Sequence, residues 1–308
     1  MSIQQKGQKE RGQPRWRCLA AASIIGTMTI RSGDLIEVKT ERLAYGGDAV
    51  ARHGKMVLFV PYAAPDEAVR VRVTTVKKTF ARAVIEEVVT PSPVRRTPEC
   101  RYFGVCGGCQ LQHIDYAAQL KSKAGFIRDS LARLGHIDWP REIEVEGSPE
   151  FGYRTRAQIK IQDTSALRSA SGSSSDKLLI GFNRHGSHSV CDVESCPILE
   201  PRLNSALGEL RTLLAARTPA GSEQLPTEVE IAAGDASVSF APQFGALPDG
   251  PVSRTIDGVS YRFTPRVFFQ SNAFLLKRLV SEAVGSQSGN LALELFCGVG
   301  LFSVGLAR

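Results

Sequence analysis

Residues 41–52 read Glu41-Arg42-Leu43-Ala44-Tyr45-Gly46-Gly47-Asp48-Ala49-Val50-Ala51-Arg52, and this stretch decides how the N-terminal part of the chain folds. A strand-like run enters a Tyr-Gly-Gly-Asp turn and a second one leaves it; glycine suits such a turn because it accepts positive φ at little steric cost. Upstream, Ile36 and Val38 alternate with Glu37 and Lys39. Downstream, His53-Gly54 turns the chain, Lys55 to Pro61 is a compact apolar run, and Ala64-Pro65-Asp66 turns it again. Val69, Val71 and Val73 then share one face with Arg70 and Arg72 opposite, the period-2 signature of a half-buried strand.

Several short strands between Asp34 and Val89 predict a small barrel of the oligonucleotide-binding type. Arg70, Arg72, Lys77, Lys78 and Arg82 would lie on its strand faces or ends, either contacting a nucleic-acid backbone or simply solvated. The whole chain has 308 residues, 43% hydrophobic and 22% charged, which suits two or three globular domains and excludes disorder, collagen and a disulfide scaffold for its bulk. No apolar run reaches bilayer-spanning length, so no membrane partner is expected. The net charge of +7 is uneven: residues 95–133 and 151–188 are basic, while 134–150 are acidic. Basic patches attract phosphate-rich partners by releasing condensed counterions.

Seven cysteines at irregular spacing fit a secreted framework poorly, so a cytoplasmic protein is expected. The strongest signal among them is Cys100-x5-Cys106-Gly107-Gly108-Cys109-Gln110. Three thiolates this close, with glycines that let the backbone fold around them, can wrap one metal centre. A fourth ligand is needed for an iron–sulfur cubane. Cys196-Pro197 is the preferred candidate and Cys191 the rival. Structural zinc would also accept four thiolates and stays open as the alternative.

After the cysteines, Leu120, Ala124, Ile127, Leu131 and Leu134 recur at helical spacing, with Asp115 as N-cap and Gly135 as terminator. This predicts a helix over 115–134 packed by that stripe. Residues 154–162 alternate like a strand with Arg154, Arg156 and Lys160 on one face, wet or in contact with RNA; Leu178 to Phe182 would return antiparallel. The Ser- and Gly-rich stretch from Thr164 to Asp176 reads as a mobile hairpin loop. Near the end, Leu291 to Leu295 is an apolar strand running into Phe296-Cys297-Gly298-Val299-Gly300 and then a helical pattern. Such a turn brings the backbone close to a nucleotide-like ligand, but the third glycine of a dinucleotide fingerprint is replaced by Ser303. Upstream, Phe268-Phe269-Gln270-Ser271-Asn272 introduces a helix from Ala273 to Val284.

The 41–52 motif resembles the TRAM domain, an RNA-binding barrel, and Glu294 followed by Cys-Gly-x-Gly is similar to the first motif of class I S-adenosylmethionine-dependent methyltransferases. With Cys-x5-Cys-Gly-Gly-Cys-Gln, Ser195-Cys196-Pro197 and Phe268 to Asn272 in one order, the chain resembles the RNA (uracil-5-)-methyltransferase family, in its TRAM-bearing iron–sulfur branch. The resemblance implies an α+β multidomain fold. A basic, disordered tail (1–28) would precede a TRAM β-barrel (29–90). A central α/β iron–sulfur and RNA-binding domain (91–262) would follow, its helix 115–134 docking on the catalytic domain, and residues 263–308 would begin a Rossmann-like methyltransferase domain. It implies a 4Fe–4S cluster on Cys100, Cys106, Cys109 and Cys196, and S-adenosylmethionine contacts at Gln270 and Phe296 and around Glu294, Gly298 and Gly300. Leu301 stands where some members carry an asparagine, which puts that contact in doubt, and Phe296 has core packing as its competing reading.

In this family a cysteine thiolate adds to uracil C6, the resulting enolate attacks the methyl sulfonium from C5, and a base removes the C5 proton. Both catalytic residues are expected beyond Arg308, so residues 1–308 alone are expected to be inactive; Cys297 reads as a packing residue and Cys18 has no suggestive neighbours. The expected partner is RNA, 23S rRNA ahead of tRNA, and the expected state is a monomer. The competing readings are a non-catalytic RNA-binding iron–sulfur module and a zinc-dependent one. Met28, just before the first strand pattern, competes with Met1 as the true start.

Overall fold

The computed structural model describes residues 30–164, 178–216, 225–286 and 288–307. The tail with Cys18 and Met28, and the Ser- and Gly-rich stretch after Thr164, lie outside the described residues.

Five strands, β1 (Leu35–Leu43), β2 (Ala49–His53), β3 (Met56–Val60), β4 (Ala68–Val76) and β5 (Phe80–Thr90), close a barrel in the order β1-β2-β3-β5-β4. Pairing is antiparallel except between β3 and β5. The alternation behaves as read: Val69, Val71 and Val73 are buried, and Val69 and Val71 pair with Val38 and Ile36 of β1. In the β1–β2 turn Gly46 and Gly47 take φ of +98° and +97°. A Cβ on Gly47 would lie 2.7 Å from Cβ of Gln110, so the turn can seat against the cysteine segment only because it carries no side chain there.

The barrel's arginines are largely matched. Arg70 pairs with Glu87, Arg72 with Glu86 at 2.7 Å and Arg82 with Asp48 at 2.9 Å, so these three cations are held on the barrel itself.

Helix α1 (Tyr116–Arg133) starts where Asp115 predicts it, with the carboxylate accepting the Ala118 N–H at 2.7 Å. Its packing departs from expectation. No α1 residue is buried, and Ile127 and, just past the helix, Leu134 are exposed. The helix instead docks on the barrel through Ala118 and Phe126, with Phe126 edge-on to Tyr45 and Asp129 paired to Arg42 at 2.5 Å. A polar barrel exterior offers an aromatic ring and a guanidinium to a helix rather than an aliphatic groove, so the neighbouring face of α1 is the one engaged.

The next layer is a five-stranded sheet of β6 (Arg156–Asp163), β7 (Leu178–Asn183), β8 (Val190–Asp192), β9 (Glu228–Ala233) and β10 (Val238–Ala241), ordered β10-β9-β6-β7-β8. Every pairing in it is antiparallel, so this region is α+β rather than the α/β expected; parallel strands would need crossover connections. Helix α2 (Pro201–Ala215) buries Leu203, Ala206, Leu207, Leu210 and Leu214 in the core shared with the sheet.

A hairpin of β11 (Val252–Ile256) and β12 (Val259–Phe263) shares a separate core with Phe269, Leu276 and Leu301, in which Phe263 and Phe269 stack at 4.2 Å. A 3-10 turn (Ala273–Leu275), opened by the Asn272 side chain accepting the Phe274 N–H, leads into α3 (Leu276–Val284), and the short α4 (Ser303–Leu306) follows the glycine turn. The strand expected over Leu291 to Leu295 is not formed, and Leu291, Leu293 and Leu295 are exposed. A strand exists only when a neighbour completes its ladder, and among the described residues none lies beside this segment. No described helix is long and apolar enough to cross a membrane.

Candidate functional site

A cavity of about 50 Å³ is walled by Cys100, Cys106, Cys109 and Cys196 together with Tyr102, Phe103, Phe182, Val193, Ile198, Leu199, Gly108 and Arg154. Two distant segments build it. The first is a run of tight turns: Phe103 N–H donates to the Cys100 carbonyl at 3.0 Å and Cys106 N–H to the Tyr102 carbonyl at 2.8 Å. Gly107 N–H then reaches the Asn183 carbonyl at 2.9 Å, pinning the turn to the end of β7, and Gly108 N–H points at the Cys106 sulfur at 3.4 Å. A Cβ at Gly107 would crowd the Asn183 carbonyl at 3.2 Å, which explains the glycine. The second segment is held by Asn204 of α2, whose side chain accepts the Cys196 N–H at 2.8 Å and donates to the Cys196 carbonyl at 3.0 Å.

All four thiols are free. Burial raises the Cys196 pKa to about 11 and pushes Cys106 and Cys109 up, against the pull of the Gly108 N–H on Cys106 and of Gln112 and Arg154 on Cys109. The rival Cys191 is buried on β8 in the core and does not line the cavity. Among the described residues no three His, Cys, Asp or Glu side chains form a group that could hold a single metal ion.

Two residues here escaped the sequence reading. Gln112 is buried, its Oε1 accepts the Cys100 N–H at 3.2 Å, and its Nε2 has no nitrogen or oxygen partner and leans only on the Cys109 sulfur. Arg154 was grouped with Arg156 and Lys160 as one face, wet or for RNA, yet it lines the cavity. Arg156 and Lys160 are also engaged within the protein. Arg156 donates to the Phe269 carbonyl at 3.4 Å and to that of Pro265, and Lys160 pairs with Glu228. A charge on an alternating strand looks solvated until its neighbours in space are known, so no local signal marks Arg154.

The glycine turn is the second site. Phe296, Gly298 and Gly300 all take positive φ, at 58°, 56° and 74°. Phe296 is fully exposed, which overturns core packing for its ring; Cys297 is exposed too, against its reading as a packing residue. Glu294 accepts a hydrogen bond from the Ser303 hydroxyl and so ties the turn to α4. A Cβ on Gly298 would lie 3.8 Å from the Phe268 carbonyl, which sets the turn beside the segment carrying Gln270. Leu301 is buried, and its carbonyl accepts the Tyr261 hydroxyl at 3.1 Å.

A third feature is a groove of about 460 Å³ between the barrel and α1, lined among others by Tyr45, Phe59, Phe80 and Phe126 and by Arg42, Arg52 and Arg133. Tyr45 stands 87% exposed at its edge. Phe59 and Phe80 meet edge to face at 5.7 Å, with Arg82 over Phe59 at 5.9 Å. The turn chemistry around Tyr45 drew attention in the sequence, but the groove depends on α1 docking and could not be foreseen.

Residues 31–85 match the family model described as the TRAM domain. The chain is 33% identical over 91% of its length to the 23S rRNA (uracil(1939)-C(5))-methyltransferase RlmD of Cronobacter sakazakii, covering 68% of that protein. It is 30% identical to an uncharacterized RNA methyltransferase of Aquifex aeolicus, over 89% of this chain and 69% of the other. The fold is shared with the crystal structure of Pyrococcus abyssi tRNA (uracil-54, C5)-methyltransferase in complex with S-adenosyl-L-homocysteine, with a TM-score of 0.61 and 23% identity over 88% of this chain and 70% of that one. The chain belongs to the RNA (uracil-5-)-methyltransferase family. Within it, RlmD enzymes are among the relatives it matches over most of its length.

Proposed function

We propose that this protein serves S-adenosylmethionine-dependent methylation of uracil C5 in RNA, with 23S rRNA as substrate ahead of tRNA. The observation that carries the reading is the likeness to RlmD along most of the chain. The groove adds to it: aromatic faces beside guanidinium groups suit an unpaired strand, whose bases stack while its phosphates meet cations. A base must leave its stack before its C5 can be reached, and a platform that holds flanking nucleotides favours that state.

Cys100, Cys106, Cys109 and Cys196 are proposed to hold a 4Fe–4S cluster. The donor set fits by its chemistry: four soft thiols from two segments line one cavity, the number a cubane takes. A single zinc would require its four ligands at about 2.3 Å from one position. Bound there, the cluster would cross-link the turns after Cys100 to the segment before α2.

The residues at the glycine turn also fit their proposed ligand. Positive φ at Gly298 and Gly300 shapes a turn with two positions free of side chains, close to the Phe268 carbonyl of the segment that carries Gln270, and the Phe296 ring is free to cover a ligand. When bound, S-adenosylmethionine supplies the methyl sulfonium. Gln270 and Phe296 orient it, and Glu294 orders the turn through Ser303.

Deleting the gene in its host and mapping 5-methyluridine by mass spectrometry tests the reading. Loss of a 23S rRNA 5-methyluridine is expected, loss from tRNA alone would move the substrate, and unchanged levels in both RNAs would overturn the function.

A further inference from the structure

We infer that Arg154, assisted by Gln112, forms the positive, hydrogen-bonding wall of the cysteine cavity and raises the reduction potential of the cluster bound there. The inference rests on the cluster reading above. Its starting point is an arginine whose buried Nε has no partner among the described residues. The Arg154 backbone is fixed on both sides: its N–H donates to the Ile198 carbonyl at 2.9 Å and its carbonyl accepts the Glu200 N–H at 3.0 Å. The side chain therefore leaves the backbone two residues along from Cys196-Pro197 and enters the cavity wall. Its Nε is sealed from solvent with no hydrogen-bond partner.

Neighbouring arginines are treated differently. Arg156, whose Nε is likewise sealed and unbonded, has Glu230 and two carbonyls, Arg211 has Asp192, and Arg254 has Glu200 and Asp235. Arg154 has no carboxylate partner among the described residues. A partly buried cation left uncompensated is costly, and so is a sealed N–H. Both costs vanish if the cavity holds an anion. A cubane with four thiolate ligands is such an anion, and its sulfurs accept hydrogen bonds. Gln112 points the same way: its Oε1 is used by the Cys100 N–H, and its buried Nε2 has no partner but the Cys109 sulfur to turn to.

Reduction adds one electron, so the reduced cluster carries one more negative charge than the oxidised one. A fixed guanidinium and N–H donors to the sulfurs stabilise that form more, which raises the potential. Neither residue is a ligand; both act on the cluster through charge and hydrogen bonding.

The test uses the full chain purified anaerobically, with Arg154→Met, Arg154→Lys and Gln112→Leu. Iron and sulfide are quantified, and the midpoint potential is read from electron paramagnetic resonance during titration with dithionite as electron donor. A shift to more negative potential is expected for Arg154→Met and, to a smaller extent, for Gln112→Leu, with Arg154→Lys close to the parent. An unchanged potential in Arg154→Met at full iron content overturns the inference. Should Arg154→Met lose its iron while Arg154→Lys keeps it, the charge is what retains the anion and the inference stands; equal loss from both means a packing role and overturns it. A parent protein without iron and sulfide removes the cluster reading itself, a separate and recognisable failure.

Discussion

Glu67, fully sealed from solvent at the foot of β4, is closed off by Arg95, whose Nη2 donates to its Oε2 at 2.8 Å. The same carboxylate accepts the Ala64 and Ser92 N–H groups, at 2.8 and 3.3 Å. One buried anion thus gathers the β3–β4 turn, the exit of β5 and the start of the cysteine segment, and fixes the barrel to that segment.

Burial alone would raise the Glu67 pKa, but the Arg95 hydrogen bond, the two amides and the Arg95 charge outweigh it and hold it below the ordinary carboxylate range. A lowered folded-state pKa contributes stability that is complete above the unfolded pKa and lost as pH falls through the folded one. Glu67→Gln should cost about 1.5–3 kcal/mol near neutral pH, the worth of hydrogen bonds to a charged group. It should also flatten the loss of stability on acidification below about pH 4. Urea unfolding of both proteins across that range checks this; parallel pH profiles would contradict it.

At the groove, Tyr45→Ala should weaken single-stranded RNA binding by about 5- to 150-fold, the range of about 1–3 kcal/mol for a stacked base. Arg133→Ala should weaken it for all sequences and lower the slope of log affinity against log salt by about one. Fluorescence anisotropy at several salt concentrations measures both. Arg133→Ala should leave melting unchanged, whereas Tyr45→Ala, which also loses the edge-on contact with Phe126 of α1, should lower it slightly.

The barrel and the helix starts were legible because their signals are local. Period-2 valines, a Gly-Gly turn and an aspartate cap each carry their own geometry. The Leu291 to Leu295 run was not, since an apolar stretch says nothing of whether a neighbouring strand is there to receive it. The α1 stripe misled for a similar reason: Leu120, Ile127 and Leu131 mark an apolar face, but Tyr45 and Arg42 on the barrel decided which face docked. Of the two cysteines weighed as the fourth, Cys196 and not Cys191 lines the cavity with Cys100, Cys106 and Cys109, and the places of Arg154 in its wall and of Gln112 against Cys100 became visible only in three dimensions.

At the glycine turn, Gly298→Val should weaken S-adenosylmethionine binding at least tenfold. A β-branched residue at φ of 56° is strained by about 1–2 kcal/mol or more, and its side chain would face the Phe268 carbonyl. Isothermal titration calorimetry reads the affinity, and circular dichroism should show an unchanged fold. Full affinity in this variant would place the cofactor elsewhere.

The most direct measurement is iron and acid-labile sulfide per chain in anaerobically purified protein, compared among the parent, Cys196→Ser and Cys191→Ser. About four of each are expected in the parent and in Cys191→Ser, with a marked loss in Cys196→Ser. Zinc without sulfide in the parent, or a loss confined to Cys191→Ser, would contradict the four-cysteine centre.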